Sequence, residues 1–222
     1  MINLFCRTTS TLLRPLLPRL FSWKVEGAEH VPIGPCILVS NHQSVVDPTM
    51  TLMALYEQQP PRHVYFLAKS SLYEIWWVGW LLNQIQAIPL RQEGADLTAF
   101  KKALRLLEQK QIVGIYPEGG ITWLHEPRRP QPGLALLAHL AQVPVVPVGI
   151  SGGRPLWWRD TRRRIVFNRM RIRFGPPIAP PPRTRLNDEA RLAYTQQVLD
   201  ECYRLVTPED ECLPPDFQQG PG

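Results

Sequence analysis

The hydrophobic positions fall into short runs separated by polar or proline-bearing joints, and their spacing changes along the chain. Trp23–Glu26 predicts a first strand, and Gly34-Pro35 turns the chain into a second apolar run, Cys36–Ser40, that ends in Asn41-His42-Gln43-Ser44. A short run that stops abruptly at polar residues predicts a buried strand feeding a loop that displays side chains. Pro48 suits the first turn of a helix through about Glu57, because the N–H it lacks would have no intrahelical partner there. Pro60-Pro61 ends that helix and His63–Ala68 predicts the next strand. Ser70 or Ser71 then predicts the cap of a helix to about Leu82.

Beyond Asp96 the period lengthens. Leu97, Phe100, Leu104 and Leu107 recur at helical intervals, and Asp96 is placed to cap the helix they predict. Ile112–Tyr116 predicts a strand, Leu134–Ala141 a short helix, and Val143–Val148 and Met170–Phe174 two further strands. A proline-rich loop, Pro176–Pro182, leads to a helix from Asn187 or Asp188 to about Val206. Such alternation implies an α/β fold in one domain, a central, mostly parallel twisted sheet flanked by helices on both faces. The expected divisions are an interfacial leader over 1–22, the folded domain over 23–206, and a disordered tail over 207–222.

With 222 residues, 44% of them hydrophobic and 20% charged, the chain has the profile of a globular protein with one sizeable core. Cys6, Cys36, Cys202 and Cys212 form no C-x-x-C pair. They are expected as reduced thiols, with no metal site and no redox motif. Lysine and arginine outnumber the acids 25 to 19, which suits an anionic partner. Nucleic acid is not expected, because Arg162-Arg163-Arg164 has no recognisable nucleic-acid module around it. An anionic membrane surface fits better. Residues 1–22 combine leucines and phenylalanines with Arg7, Arg14 and Arg19 and no acid, the composition of a segment lying in the membrane interface; a transit peptide is the alternative on composition. Trp157 and Trp158 beside Arg162, Arg163 and Arg164 give a second candidate membrane contact, indoles at headgroup depth with arginines on phosphates. Residues 130–153 lack any Asp, Glu, Lys or Arg, but Pro144 and Pro147 interrupt them. A helix followed by a buried strand is expected there, not a membrane span.

The chemistry concentrates at two strand exits. His42 lies five residues before Asp47, and a histidine held by a carboxylate is the commonest general base. At about 100° per helical residue, five positions place two side chains on different faces. The pair therefore meets only if His42 sits in the turn before the helix and Asp47 reaches back. The second exit, Pro117-Glu118-Gly119-Gly120, brings an acid and paired glycines.

Asn41, His42, Ser44 and Asp47 match N-H-x-S-x-x-D, and through these residues the chain resembles the glycerolipid acyltransferase family, typified by 1-acylglycerol-3-phosphate acyltransferases. Four further segments fit that family in order: Ala87–Arg91, Pro117-Glu118-Gly119, Val143–Val148 and Arg173-Phe174-Gly175-Pro176-Pro177. The resemblance runs from about Trp23 to about Ile178. It implies an O-acyltransferase that moves a fatty acyl chain from acyl-CoA or an acyl-carrier protein onto a membrane lipid hydroxyl. The expected acceptor is 1-acylglycerol-3-phosphate, giving phosphatidate on the cytoplasmic side of a membrane by a peripheral or monotopic protein. No cofactor beyond the thioester co-substrate is implied. His42 would be the base and Asp47 its orienting carboxylate, with no protein nucleophile; Ser44 would hold the turn. Arg91 and, secondarily, Lys69 would bind phosphate, while Glu118, Gly119 and Gly120 would line the acceptor side. Backbone N–H groups after Asp47 or near Gly119-Gly120 would hold the oxyanion.

One departure matters: Gly120-Ile121 stands where the family has Thr-Arg, which removes an expected phosphate contact. Arg128 and Arg129 are nearby substitutes; otherwise the acceptor is a lipid or glycolipid lacking a phosphomonoester. A thioester or lipid hydrolase would share the His42–Asp47 pair. A catalytically silent lipid-binding protein would need neither that pair nor Glu118.

Overall fold

The computed structural model describes residues 23–44, 46–56, 62–91, 96–121, 130–152 and 170–207. The leader 1–22, the Trp157–Arg164 cluster, Arg128 and Arg129, Cys6 and Cys212, and positions 208–222 of the tail lie outside the described residues. Seven strands are present among the described residues: β1 Lys24–Glu26, β2 Cys36–Ser40, β3 Val64–Lys69, β4 Ile88–Leu90, β5 Ile112–Ile115, β6 Val145–Ser151 and β7 Arg171–Phe174. Five α-helices accompany them there: α1 Asp47–Tyr56, α2 Trp76–Gln84, α3 Leu97–Glu108, α4 Gly133–Ala141 and α5 Asp188–Arg204.

The strands form one sheet in the order β1-β7-β6-β2-β5-β3-β4. From β6 to β4 every pairing is parallel; β7 runs antiparallel to β6, and β1 is parallel to β7. The expected α/β architecture is therefore present, with its two antiparallel strands at one side. Alternation along the strands assigns the helices to faces. Cys36 and Leu38 of β2 pack with α1 and α2, whereas Ile37 and Val39 face Ala99, Ala103 and Leu107 of α3, Leu134 and Leu137 of α4, and Val198 and Cys202 of α5. Both faces are covered, so the central strands are apolar on both sides, as a buried parallel sheet requires. Among the described residues no helix is long and apolar enough to cross a membrane.

Three local features differ from the sequence pattern. The stretch after Ser70 is not one serine-capped helix: Ser70–Glu74 form a 3₁₀ turn, Ile75 is extended, and α2 begins at Trp76 with no side-chain cap. Gly79 packs so closely that a Cβ there would lie 2.6 Å from the Tyr73 carbonyl oxygen, which holds the two helical pieces folded together. Ile88-Pro89-Leu90 is a strand, at the sheet's edge, where a proline costs no ladder hydrogen bond on the open side. Leu97 of α3 is exposed, and the alanines Ala99 and Ala103 take the buried face instead. The caps Asp96 and Asn187 are as expected, accepting from the first-turn N–H groups of α3 and α5.

Because β2, β3, β4, β5 and β6 are parallel, their C-terminal ends share one edge of the sheet. Ser40, Lys69, Leu90, Ile115 and Ser151 end these strands there, the edge where open α/β sheets place their ligands.

Candidate active site

Buried strand β2 delivers Asn41 and His42 to that edge. Asn41 is fully buried and completes the ladder with its side chain: its Nδ2 donates to the Ile150 carbonyl at 2.8 Å, and the Ile150 N–H donates to its Oδ1 at 2.8 Å. This amide ties the exit of β2 to β6, so the next residue leaves the sheet in a fixed direction. His42 lies in the turn before α1, and Asp47 is the first helical residue, reaching back as the spacing requires.

The His42 Nδ1–H donates to Asp47 Oδ2 at 2.9 Å. The same oxygen accepts the backbone N–H groups of Gln43 at 2.7 Å and Ser44 at 2.8 Å. Three donors on one oxygen fix the carboxylate, which is completely buried, while the imidazole keeps 16% of its side-chain surface open. With Nδ1 committed to Asp47, the network assigns Nε2 as the ring's acceptor nitrogen. Ser44 takes part in the same turn through its backbone, its carbonyl accepting from the Asp47 N–H at 3.2 Å.

Tyr116, the residue that follows β5, stacks on the imidazole with ring centroids 4.2 Å apart and planes 23° from parallel. Phe66 of β3 also stacks on Tyr116, with ring centroids 5.6 Å apart. Burial first, and the Asp47 charge second, push the Tyr116 phenol well above its ordinary value, so it remains a neutral platform. The sequence pattern did not single out this ring, because its contact with His42 depends on β5 lying beside β2.

Glu118 sits in the turn after β5 and accepts a hydrogen bond from the Tyr203 hydroxyl near the end of α5. Eighty-five residues separate these partners, and no local pattern marks the contact. Gly119 has φ +69°, a conformation that disfavours any side chain. The Lys69 ammonium lies across Gly120, where a Cβ would be 3.5 Å from its nitrogen. Arg91 follows β4, is exposed, and donates its backbone N–H to Asp96. Neighbouring strands lie about 4.8 Å apart, so the ends of β3 and β4 are roughly 10 and 14 Å from that of β2. Lys69 is thus the nearer cation and Arg91 the farther one. Among the described residues no cluster of His, Cys, Asp and Glu is arranged to hold a metal ion. Cys36 and Cys202 are buried free thiols, each pushed up to about 12 by burial, and lie in the core rather than at the site.

Comparisons with known proteins bear on the family and on the fold. Residues 22–151 match the family model described as Acyltransferase. The chain is 27% identical over 182 residues to a 1-acyl-sn-glycerol-3-phosphate acyltransferase of Bacillus subtilis, covering 80% of this chain and 84% of that one. It is 32% identical over 162 residues to the human 1-acyl-sn-glycerol-3-phosphate acyltransferase alpha, covering 70% and 54% respectively, so it spans about half of that longer relative. Its fold is similar to the crystal structure of the 1-acyl-sn-glycerophosphate acyltransferase PlsC from Thermotoga maritima, with a TM-score of 0.64 over 90% of this chain and 79% of that one, at 21% identity.

Proposed function

Because the chain belongs to the acyltransferase family, we propose that it transfers a fatty acyl chain from acyl-CoA or an acyl-carrier protein to the free hydroxyl of 1-acylglycerol-3-phosphate, forming phosphatidate. The relatives described above are 1-acyl-sn-glycerol-3-phosphate acyltransferases by name, which supports the acceptor. The observation that carries the reading is the pairing of His42 with a fully buried Asp47 at the C-terminal edge of the parallel strands.

In this reading His42 Nε2 takes the proton of the acceptor hydroxyl as its oxygen attacks the thioester carbonyl. Asp47 holds the ring in the tautomer that leaves Nε2 free and stabilises the imidazolium that forms. The tetrahedral oxyanion is held by N–H groups at the start of α1 or near Gly119-Gly120. Collapse breaks the carbon–sulfur bond, and the imidazolium returns its proton to the departing thiolate. Lys69 and Arg91 bind the acceptor's phosphate, and Glu118 positions its glycerol. The protein works at the cytoplasmic surface of a membrane, with the leader over 1–22 and the Trp157–Arg164 segment in contact with anionic headgroups. The test is acyl transfer by the purified protein to a panel of lipid acceptors, with products identified by mass spectrometry. Phosphatidate formation that disappears in His42→Ala supports the reading; thioester cleavage without acyl transfer overturns it in favour of a hydrolase.

A second acceptor class has a specific observation in its favour. Gly120-Ile121 replaces the arginine-bearing end of the family motif, which suits a lipid hydroxyl without a phosphomonoester. Faster reaction of such an acceptor in the same panel would select it.

A further inference from the structure

Helix α2 departs from the usual pattern in which the outward face of a surface helix is polar. It contains no charged residue, and Trp76, Trp77 and Trp80 are 83%, 47% and 53% exposed. At about 100° per residue these indoles share one stripe, opposite the buried Val78, Gly79 and Leu82. Ile75, immediately before the helix, is exposed beside them. The open indole surface is on the order of 400 Å², the size at which an apolar patch on a monomer marks an interaction site.

Its place in the fold says what it meets. Helix α2 follows the C-terminal end of β3 through one 3₁₀ turn and leads back into parallel β4. Its first turn, with Trp76 and Trp77, therefore lies at the catalytic edge, and the polar Asn83 and Gln84 close the stripe at the far end. On that same edge β3 ends in Lys69 and β4 is followed by Arg91, and between these cations the only acid is Glu74. Indoles beside cationic side chains match the headgroup layer of an anionic bilayer, with ring faces among the upper acyl carbons and cations on phosphates. The chain's net charge of +6 adds to that attraction.

We propose that the indole face of α2 docks the protein on an anionic lipid surface and so turns the C-terminal edge of the sheet toward an acceptor still held in that surface. The purpose of the contact rests on the acyl-transfer reading; the contact itself does not.

The test uses the full chain and vesicles of phosphatidylcholine doped with phosphatidylglycerol, some carrying brominated acyl chains. In a Trp157→Phe/Trp158→Phe background, which removes the other indoles placed at the membrane, brominated vesicles should quench the tryptophan fluorescence, and adding Trp76→Phe/Trp77→Phe/Trp80→Phe should abolish most of that quenching while the protein still binds. Trp76→Ser/Trp77→Ser/Trp80→Ser should bind vesicles at least about tenfold more weakly, and the deficit should persist at molar salt, where charge attraction is screened within about 3 Å. Its acyl transfer to a short-chain acceptor dispersed in water should stay within about twofold of wild type, which also shows that it is folded. Unchanged vesicle affinity in the serine variant, or quenching retained by the phenylalanine variant, would overturn the proposal and assign the face to another occupant, such as residues 1–22 or a second copy of the chain. The vesicle assay needs no acyl donor, so its outcome is independent of which lipid proves to be the acceptor.

Discussion

Two histidines at opposite ends of the sheet show how placement decides chemistry. His42 follows the C-terminal end of β2, and His63 precedes the N-terminal end of β3, so the two lie at opposite edges of parallel strands. His42 is partly open, backed by a carboxylate and stacked on a neutral phenol. His63 is 7% exposed and lies between the rings of Tyr56 and Tyr65, with no carboxylate beside it among the described residues; burial pushes its pKa down to about 4. Near it the Arg62 guanidinium gathers the carbonyls of Val31, Pro32, Ile33 and Gly34, closing the loop ahead of β2. One edge presents a pre-oriented acceptor nitrogen; the other spends its polar groups on holding the chain together.

The largest effect expected separates these roles directly. His42→Ala should lower kcat for acyl transfer by about 10²–10⁴ with the melting temperature unchanged, because a positioned general base contributes that much. Asp47→Asn should also reduce kcat far more than it changes the donor's KM, since it disturbs the tautomer and not the donor's contacts. His63→Ala should do the reverse, lowering stability by about 1–3 kcal/mol while folded protein retains its turnover. Steady-state kinetics beside thermal melts would break the comparison if His63→Ala abolished turnover in folded protein or His42→Ala did not.

The second effect is a pH dependence of stability. The folded state protonates His63 only near pH 4, whereas an unfolded histidine does so near 6.5. Between these values the unfolded chain holds more protons, so stability contributed by neutral, buried His63 is complete above about pH 6.5 and is lost as the pH falls toward 4. The loss amounts to about 3 kcal/mol. Denaturant melts from pH 7 to pH 4 should show that slope, and His63→Phe should flatten it. An equal slope in the variant would assign the acid sensitivity to other groups.

The contrast between the edges also explains what the sequence made legible. The His42–Asp47 pair is local: a strand exit, a turn and a first helical residue contain it, and its spacing alone required the geometry observed. The alternation of apolar runs sufficed for an α/β sheet with helices on both faces. What the pattern could not carry was adjacency. The stack of Tyr116 on His42 needs β5 beside β2, and the Tyr203–Glu118 hydrogen bond needs the C-terminal end of α5 brought to the loop after β5. The strand at Ile88–Leu90 was obscured because a three-residue run with a central proline satisfies no strand rule, and only its position at the sheet edge makes Pro89 acceptable. The break at Ile75 follows from packing of Gly79 on Tyr73, which no propensity scale contains. The indole face of α2 is a tryptophan cluster in the sequence, Trp76-Trp77-Val78-Gly79-Trp80, but its exposure is not legible there, since tryptophans are as often core residues.

The smallest expected effects concern the phosphate, and they grade the C-terminal edge of the sheet itself. Sequence resemblance put Arg91 first and Lys69 second as phosphate ligands, whereas the strand order places Lys69 nearer to His42 and across Gly120, with Arg91 exposed at the outermost strand. A hydrogen bond to a charged group contributes about 1.5–3 kcal/mol when partly shielded, and an exposed ion pair about 0.2–1 kcal/mol. If 1-acylglycerol-3-phosphate is the acceptor, Lys69→Ala should raise its KM by about tenfold or more, and Arg91→Ala by only a few-fold. Neither should change the donor's KM. Placing Arg at position 121 (Ile121→Arg) should lower the acceptor's KM by restoring the cation that the family motif carries there. Kinetics with 1-acylglycerol-3-phosphate and with an acceptor lacking the phosphate would sharpen the ranking. A larger effect at Arg91 than at Lys69 would mean that the phosphate lies toward the sheet's outer edge. Equal kinetics of both variants on both acceptors would mean that the acceptor carries no phosphomonoester, as Ile121 already allows.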